Sequence, residues 1–350
     1  MNFTKSQLSD FVFSVFIKCG MPDADAKLAA EVLLSADLRG IDSHGVARLS
    51  GYIRLWEGKR ANMRAEPKII HETPSTATLD ADAGLGLVVT PMAMQIAIEK
   101  AKQVGTGWVA IQNSNHFGIA AYHAMLALPY DMIGISMTNA SPLVAPTYSK
   151  ERMLGTNPIC IAVPALNHPP FILDMATSYA ANGKLEIAQR ANIPIPEAWV
   201  QTETGESSTD ANELKNGGSL LPLGGHKGYC LGAAVDILSA VLSGANYGPW
   251  VPPFVTFLNP LNDLPGKGIG HFVGAMRIDA FRPASEFKLH MDNWIARFKQ
   301  AKRVNPDQEV LIPGEPEFRI TADREMNGIP LNEMVVKDLE TLAKKLDLIL

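Results

Sequence analysis

The apolar positions of the chain recur first at helical spacing and only later at the spacing of strands. Residues 4–20 read as a helix with Thr4 as its cap, Gln7 at the capping-box position and Gly20 at its end. Pro22-Asp23 opens a second helix that runs through Leu38 and is closed by Gly40. A third starts at Ser43, a favoured cap residue, carries Val46, Leu49 and Ile53 on its apolar side, and stops at Gly58. Three helices with no strand between them argue against a chain that begins with a strand, a glycine-rich turn and a helix for dinucleotide binding.

The pattern changes near residue 70. Strands are expected at 76–81, 108–111, 132–137, 157–163 and 171–173, with a turn around Asn167-His168-Pro169-Pro170. Helices are expected from Thr90 to Val104, with Pro91 in the first turn, and from Phe117 to Leu128. Residues 200–220, rich in Thr, Ser, Gly, Glu and Asn, read as a surface excursion. His226 to Leu242 is a long apolar helix, 246–270 an irregular loop, and His271 to Phe281 a final strand. After Pro283 the chain is helical to about 303, turns at 311–316 and closes with a helix over 331–347. The layout is an α/β protein. Residues 1–70 and 284–350 are expected to form one helical domain around an inserted mixed-sheet domain, 71–283.

Composition narrows the class. Hydrophobic content of 47% and charged content of 19% describe an ordinary globular chain. The net charge of −5, with no Lys/Arg cluster, gives no footprint for nucleic acid. Cys19, Cys160 and Cys230 are odd in number and far apart, which suits a reduced, cytoplasmic setting. The amino-terminal segment is amphipathic and does not read as a signal peptide, and no apolar run is long enough to span a membrane.

Five stretches carry candidate chemistry. In Ser43-His44-Gly45-Val46-Ala47-Arg48, helical spacing would put His44, Arg48 and Tyr52 on one face. The helix start attracts anions and disfavours imidazolium, and an arginine one turn on offers a carboxylate its forked donors. An ordinary cap beside a partly exposed ring would leave the same sequence. His116, in Asn113-Ser114-Asn115-His116-Phe117-Gly118, projects from a strand end into a helix start, as a catalytic group or as a solvated turn residue. Asn139-Ala140-Ser141 offers small polar groups at another strand end, and a plain turn accounts for it equally well. Asp174, in Leu173-Asp174-Met175-Ala176-Thr177, ends an apolar strand; buried there it needs partners, and a helix cap is the alternative. Gly224-Gly225-His226-Lys227-Gly228 puts glycines and a lysine at a helix start, a natural phosphate cradle without the Lys-Ser/Thr of a P-loop. Absences matter too. The sequence has no Gly-x-Gly-x-x-Gly, His-Glu-x-x-His or Gly-x-Ser-x-Gly, and His116 with His123 lacks a third metal ligand.

Taken together these stretches resemble the malate/L-lactate dehydrogenase family of the non-Rossmann type, in the family's order and over essentially the whole chain. Ureidoglycolate and sulfolactate dehydrogenases, diketogulonate reductase and ketimine reductases belong to it. The resemblance implies a non-Rossmann nicotinamide-binding fold, NAD or NADP as cofactor, and a homodimer with its active site near the subunit interface. By that resemblance Asp174, Met175, Ala176, Thr177, His226, Lys227, Gly314, Glu315 and Pro316 face the cofactor. Ser43, Arg48, Asn139, Ala140 and Ser141 face the substrate, and His44 and His116 are the two candidate proton carriers. Two departures stand out. Thr147-Tyr148-Ser149-Lys150 replaces the paired glycines of many members, and Ala140 stands where ureidoglycolate dehydrogenase has a serine.

The expected reaction is NAD(P)-dependent interconversion of a small 2-oxo acid and its 2-hydroxy acid, of malate or lactate type. His116 is favoured as acid/base, with His44 as its partner. Reduction of a cyclic imino acid or of a sugar-derived diketo acid is the alternative, and a silent binding protein on the same fold is the rival from another class.

Overall fold

The computed structural model describes all 350 residues, the side chain of Arg190 excepted. The chain runs β1 (Asn2–Phe3), α1 (Lys5–Lys18), α2 (Asp23–Leu38), α3 (Leu49–Glu57), β2 (Lys68–Glu72), β3 (Thr76–Asp80), α4 (Gly86–Val104) and β4 (Thr106–Ser114). It continues with α5 (Ala120–Met125), β5 (Met132–Thr138), β6 (Ile159–Val163), β7 (Phe171–Met175) and α6 (Asn182–Ala191). The small strands β8 (Val200–Gln201), β9 (Ser207–Ser208) and β10 (Ser219–Leu220) follow, then α7 (His226–Asp236) and β11 (Ile269–Arg277). The closing elements are α8 (Ala284–Lys299), α9 (Glu315–Asn327), β12 (Ile329–Pro330) and α10 (Glu333–Leu346).

Seven strands form one mixed sheet in the order β2-β3-β4-β11-β5-β6-β7. Only β3 and β4 run parallel, while β11 enters from late in the chain and pairs antiparallel with β4 and β5 on either side. The expected α/β class with a mixed sheet is the observed one. α4 packs Val89, Ala93, Ala97 and Ile98 against Val109, Ile111 and Val273 of the sheet. A larger core joins α1, α2, α3 and α10 to α5 and to Cys160, Ala162 and Ile172 on β6 and β7. α6 and the small sheet share a third core around Leu185, Val200 and Leu220.

Local chemistry explains the first elements. Thr4 and Gln7 complete a capping box, and Leu8, Phe11, Val12, Val15 and Phe16 form the buried stripe of α1. Asp23 and Asp25 sit in the first turn of α2, where carboxylates favour the helix dipole.

Several expectations are corrected. No helix begins at Ser43. Residues 42–45 are a turn, Val46–Arg48 a single 3-10 turn, and α3 starts only at Leu49. The cause is local: Gly45 is extended (φ −88°, ψ −141°) and the Ser43 hydroxyl bonds the His44 ring, not the main chain. α4 starts at Gly86, four residues early, so Pro91 lies inside it as the sixth residue, where it can donate no hydrogen bond to the Leu87 carbonyl. The helix from Phe117 shortens to α5 because Gly118 is left-handed (φ +81°) and Leu128–Tyr130 form a 3-10 turn. α7 passes into a π-helical stretch, Ile237–Val241, and α8 ends at Lys299. β11 ends at Arg277, and residues 200–220 hold a three-stranded sheet.

Candidate active site

The connection from α2 to α3 is a tight turn. The His44 N–H donates to the Ile41 carbonyl at 2.9 Å and the Arg48 N–H to that of Gly45 at 2.9 Å. The Ser43 hydroxyl lies 2.9 Å from Nδ1 of His44, and Nε of Arg48 donates to the Ser43 carbonyl at 2.6 Å. His44, Arg48 and Tyr52 therefore belong to a turn and the helix after it, not to one helix face, yet they converge.

His116 comes to them from the end of β4. The loop is pinned by the Asn115 side chain, which donates to the Ala83 carbonyl at 2.8 Å. The His116 ring stacks on His44 with 5.8 Å between centroids and on Phe254 with 4.6 Å. Nδ1 of His116 lies 2.6 Å from the Tyr52 hydroxyl and accepts the Gly118 N–H at 3.3 Å. Two donors on Nδ1 place the ring's own proton on Nε2. His44 differs. Its Nδ1 meets a hydroxyl that accepts or donates, so the ring keeps that bond in either protonation state.

Burial sets the electrostatics. It lowers His44 to about 4, with Arg48 adding to the effect. His116 is pushed well below the ordinary histidine range, by burial first and then by His44 and Arg48. The depression expected for His44 is present, but desolvation causes it; no helix start lies at that position. Tyr52 is buried and its hydroxyl is pushed up, so it stays protonated.

Phe254 was not legible in the sequence, where it sits in a Pro-rich loop with no periodicity. Three bonds fix it. Its N–H donates to Oγ of Ser141 at 2.8 Å, and its carbonyl accepts from Arg54 at 2.5 Å. Arg60 donates to the carbonyls of Pro252 and Pro253 at 3.0 and 2.6 Å.

The other substrate-side candidates divide. Arg48 stands at the cluster with Nη2 3.4 Å from Glu186, and Gly183 packs so closely that a Cβ would lie 2.5 Å from Cβ of Ser43. Asn139 is buried, and its amide is fully occupied by Asp236, the Asn246 carbonyl and the Gly270 N–H. The Ala140 N–H donates to Asn157 at 3.1 Å, and Ser141 reaches the ring cluster only through Phe254.

The cofactor-side candidates gather around the end of β7. The half-buried carboxylate of Asp174 accepts the Ala121 N–H at 3.0 Å; burial raises it to about 6, against the lowering effects of that bond and of Arg39. Met175 and Ala176 are half-buried, and the buried Thr177 hydroxyl donates to the carbonyls of Thr156 and Asn157. The Leu223 N–H donates to the Thr177 carbonyl at 2.9 Å, which brings the glycine loop to the same place. Gly224 and Gly225 are left-handed (φ +60° and +67°) with open space where side chains would stand, and His226 and Lys227 are exposed. No side chain caps α7; the Gly228 N–H donates to the Leu223 carbonyl at 2.7 Å, which leaves the N–H groups of His226 and Lys227 at the helix start. The Ile172 N–H donates to the Pro313 carbonyl at 3.0 Å, placing the Gly314-Glu315-Pro316 turn beside the same strand. Glu315 is held by Lys299 at 2.5 Å and accepts the Ile312 N–H at 3.1 Å. These residues fit a dinucleotide. An uncapped helix start with lysine and bare glycines suits phosphate, and a carboxylate with one protein donor has lone pairs left for sugar hydroxyls.

A paired-imidazole cluster with an arginine, and a dinucleotide-compatible surface outside any Rossmann unit, are features compatible with an oxidoreductase of small acids. The chain belongs to the malate/L-lactate dehydrogenase family, whose model matches residues 3–340, and it is an oxidoreductase enzyme. It is 45% identical to a malate dehydrogenase of Pyrococcus abyssi over 97% of this chain and 94% of that one. With the L-sulfolactate dehydrogenase of Methanocaldococcus jannaschii it shares 40% over 96% and 95%. A Δ1-pyrroline-2-carboxylate/Δ1-piperideine-2-carboxylate reductase of Pseudomonas putida is 30% identical over 96% and 95%. The crystal structure of malate dehydrogenase from Entamoeba histolytica superposes with a TM-score of 0.92 at 32% identity, covering 100% of this chain and 99% of that one.

Proposed function

We propose that this protein interconverts a small 2-oxo acid and its 2-hydroxy acid, with oxaloacetate and malate the leading pair. The observation that carries the reading is the stacked His44–His116 pair, 5.8 Å apart, with Arg48 tied to the same turn. Arg48 and the Ser43 turn hold the substrate carboxylate, and Phe254 with Tyr52 keeps water from the rings. The bound nicotinamide dinucleotide, NAD or NADP, supplies the two-electron chemistry. It would be held by Asp174 to Thr177, by the Gly224–Lys227 helix start and by the turn at Gly314. Nε2 of His44 takes the hydroxyl proton in oxidation and returns it in reduction. We assign the proton to His44 over the sequence-favoured His116 because Nδ1 of His116 faces two donors, which disfavours the imidazolium. His116 orients the substrate oxygen through its Nε2–H.

The 45% identity to a malate dehydrogenase supports the oxo-acid substrate, and the 30% identity to an imine reductase supports reduction of a cyclic imino acid as the second reading. Three unpaired cysteines support a cytoplasmic setting, and, among the described residues, no helix is long and apolar enough to cross a membrane. Exposed Ile237, Val241 and Leu242 along one helix support a homodimer. The packing of α10 on α1–α3 supports a helical unit built from both termini, 1–70 plus 284–350, whose core runs on into α5, β6 and β7 of the unit 71–283. The test is oxidation of NADH and of NADPH against oxaloacetate, pyruvate, 2-oxoglutarate, diketogulonate and piperideine-2-carboxylate. Turnover of oxaloacetate is expected; turnover of the imine alone would replace this reading with the second.

A further inference from the structure

Beneath the turn that bears Ser43 and His44 lies a carboxyl group that the chemistry above does not use. Asp37, in the last turn of α2, is 1% exposed. Its Oδ2 accepts the Val46 N–H at 2.9 Å, while Oδ1 is buried with no hydrogen-bond partner. A Cβ at position 45 would lie 2.0 Å from Oδ1, so the carboxyl fills the space a side chain would need. From the other side Arg324, in the last turn of α9, donates to the Asp37 carbonyl and to the Asp42 carboxylate.

A buried carboxyl with an unsatisfied oxygen is an expensive residue, and an apolar side chain would serve a helix end better. Its return is geometric. Val46 lies two residues after His44, and its N–H precedes α3, so no helical carbonyl is available to it. The Asp37 bond fixes the main chain there, and the bare Gly45 lets the turn close onto the carboxyl. Arg324 holds the residue before Ser43 by its side chain. The Ser43-His44 pair is thus gripped at both of its ends, which sets the direction in which the imidazole points.

We propose that Asp37, acting with Gly45 and Arg324, is a positioning residue for His44 in the reaction. The inference rests on the assignment of His44 as the proton carrier. Asp37 itself touches neither substrate nor cofactor.

The experiment compares Asp37→Ala and Asp37→Asn with His44→Gln, reading kcat and KM for oxaloacetate, cofactor Kd by tryptophan fluorescence, and thermal midpoint. A misplacement of the order of an ångström costs up to about 100-fold in rate, so Asp37→Ala is expected to lose about 10- to 100-fold in kcat. KM is expected to rise by less than kcat falls, because the loosened Ser43 turn shares the substrate carboxylate with Arg48, and cofactor Kd should move by less than about threefold, because the cofactor contacts lie on other elements. Asp37→Asn keeps an acceptor for the Val46 N–H and is expected to recover most of the loss. Should Asp37→Ala not fold, Arg324→Gln loosens the same turn from outside the core and is expected to show the same split, smaller in size. A folded Asp37→Ala with wild-type kcat, or a loss shared equally by kcat, KM, Kd and thermal midpoint, would overturn the proposal. An active His44→Gln enzyme removes the underlying assignment and this inference with it. An inactive His44→Gln beside a fully active Asp37→Ala removes the inference alone.

Discussion

The Tyr52 hydroxyl lies 2.6 Å from Nδ1 of His116, so a helix of the amino-terminal region fixes the tautomer of a histidine delivered by the sheet. Tyr52→Phe deletes that donor and leaves the Gly118 N–H as the remaining one. The loss of one buried hydrogen bond is expected to cost about 1 kcal/mol in denaturant stability. Turnover should fall as well, because the Nε2–H donor is then less firmly set. Paired urea titrations and kcat values check both.

His44 predicts the pH dependence. Its pKa is lowered by burial to about 4, so the neutral ring needed for oxidation is present through the neutral range. Oxidation of the hydroxy acid is expected to hold its rate down to weakly acid pH and to fall as pH drops toward about 4. Native stability should weaken over the window between the ordinary histidine value near 6.5 and about 4, where the unfolded chain binds the proton first. A rate profile with an acid limb at or above pH 7 in the free enzyme would contradict the assignment.

Asp174 gives the opposite sign. Burial raises its carboxyl from 3.8 to about 6, so its stability contribution is greatest below pH 3.8 and is lost as pH rises through about 6. Asp174→Asn is therefore expected to raise the thermal midpoint at pH 8, to change it little at pH 4, and to weaken cofactor binding. Calorimetry at the two pH values, with a fluorescence titration at pH 8, reads all three effects.

Glu186 partners Arg48 at 3.4 Å with both side chains part-exposed. Such a pair adds at most about 1 kcal/mol to stability, so Glu186→Gln should fold normally. Relieved of a competing carboxylate, Arg48 is expected to bind oxo acid with a KM lower by about twofold to fivefold. An increased KM would mean that Glu186 helps bind the substrate.

Gly314 adopts φ +92°, and a Cβ there would lie 2.8 Å from Cβ of Ile172. Gly314→Ala strains the main chain and pushes the turn away from β7. Cofactor affinity should fall with KM for the oxo acid little changed, measured by tryptophan quenching and initial rates.

Much of this architecture was legible in the chain itself. Strong apolar repeats exposed α1, α2, α4 and the inner strands, and the Thr4–Gln7 capping box was readable to the residue. α9 escaped because none of its residues is buried, so it shows no apolar stripe; β2 is exposed along its whole length for the same reason. The candidate residues were found because His, Arg and Asp at strand ends and helix starts are conspicuous. Their relationships were not. Tyr52 and Phe254 meet His116 across 64 and 138 positions of sequence, and only the folded chain, through the Arg54, Arg60 and Ser141 contacts, brings them together. The Ser43 element misled because a Ser at a turn before an apolar repeat looks like a cap, while its hydroxyl serves the neighbouring imidazole.

The most direct test of the account is reduction of oxaloacetate by His44→Gln and His116→Gln, with cofactor binding measured on both. A general acid is worth about 10²- to 10⁴-fold, so His44→Gln is expected to lose that much in kcat while still quenching with cofactor. His116→Gln, which keeps a side-chain N–H donor, should lose far less. The reverse order, or full activity in His44→Gln, would contradict the central claim.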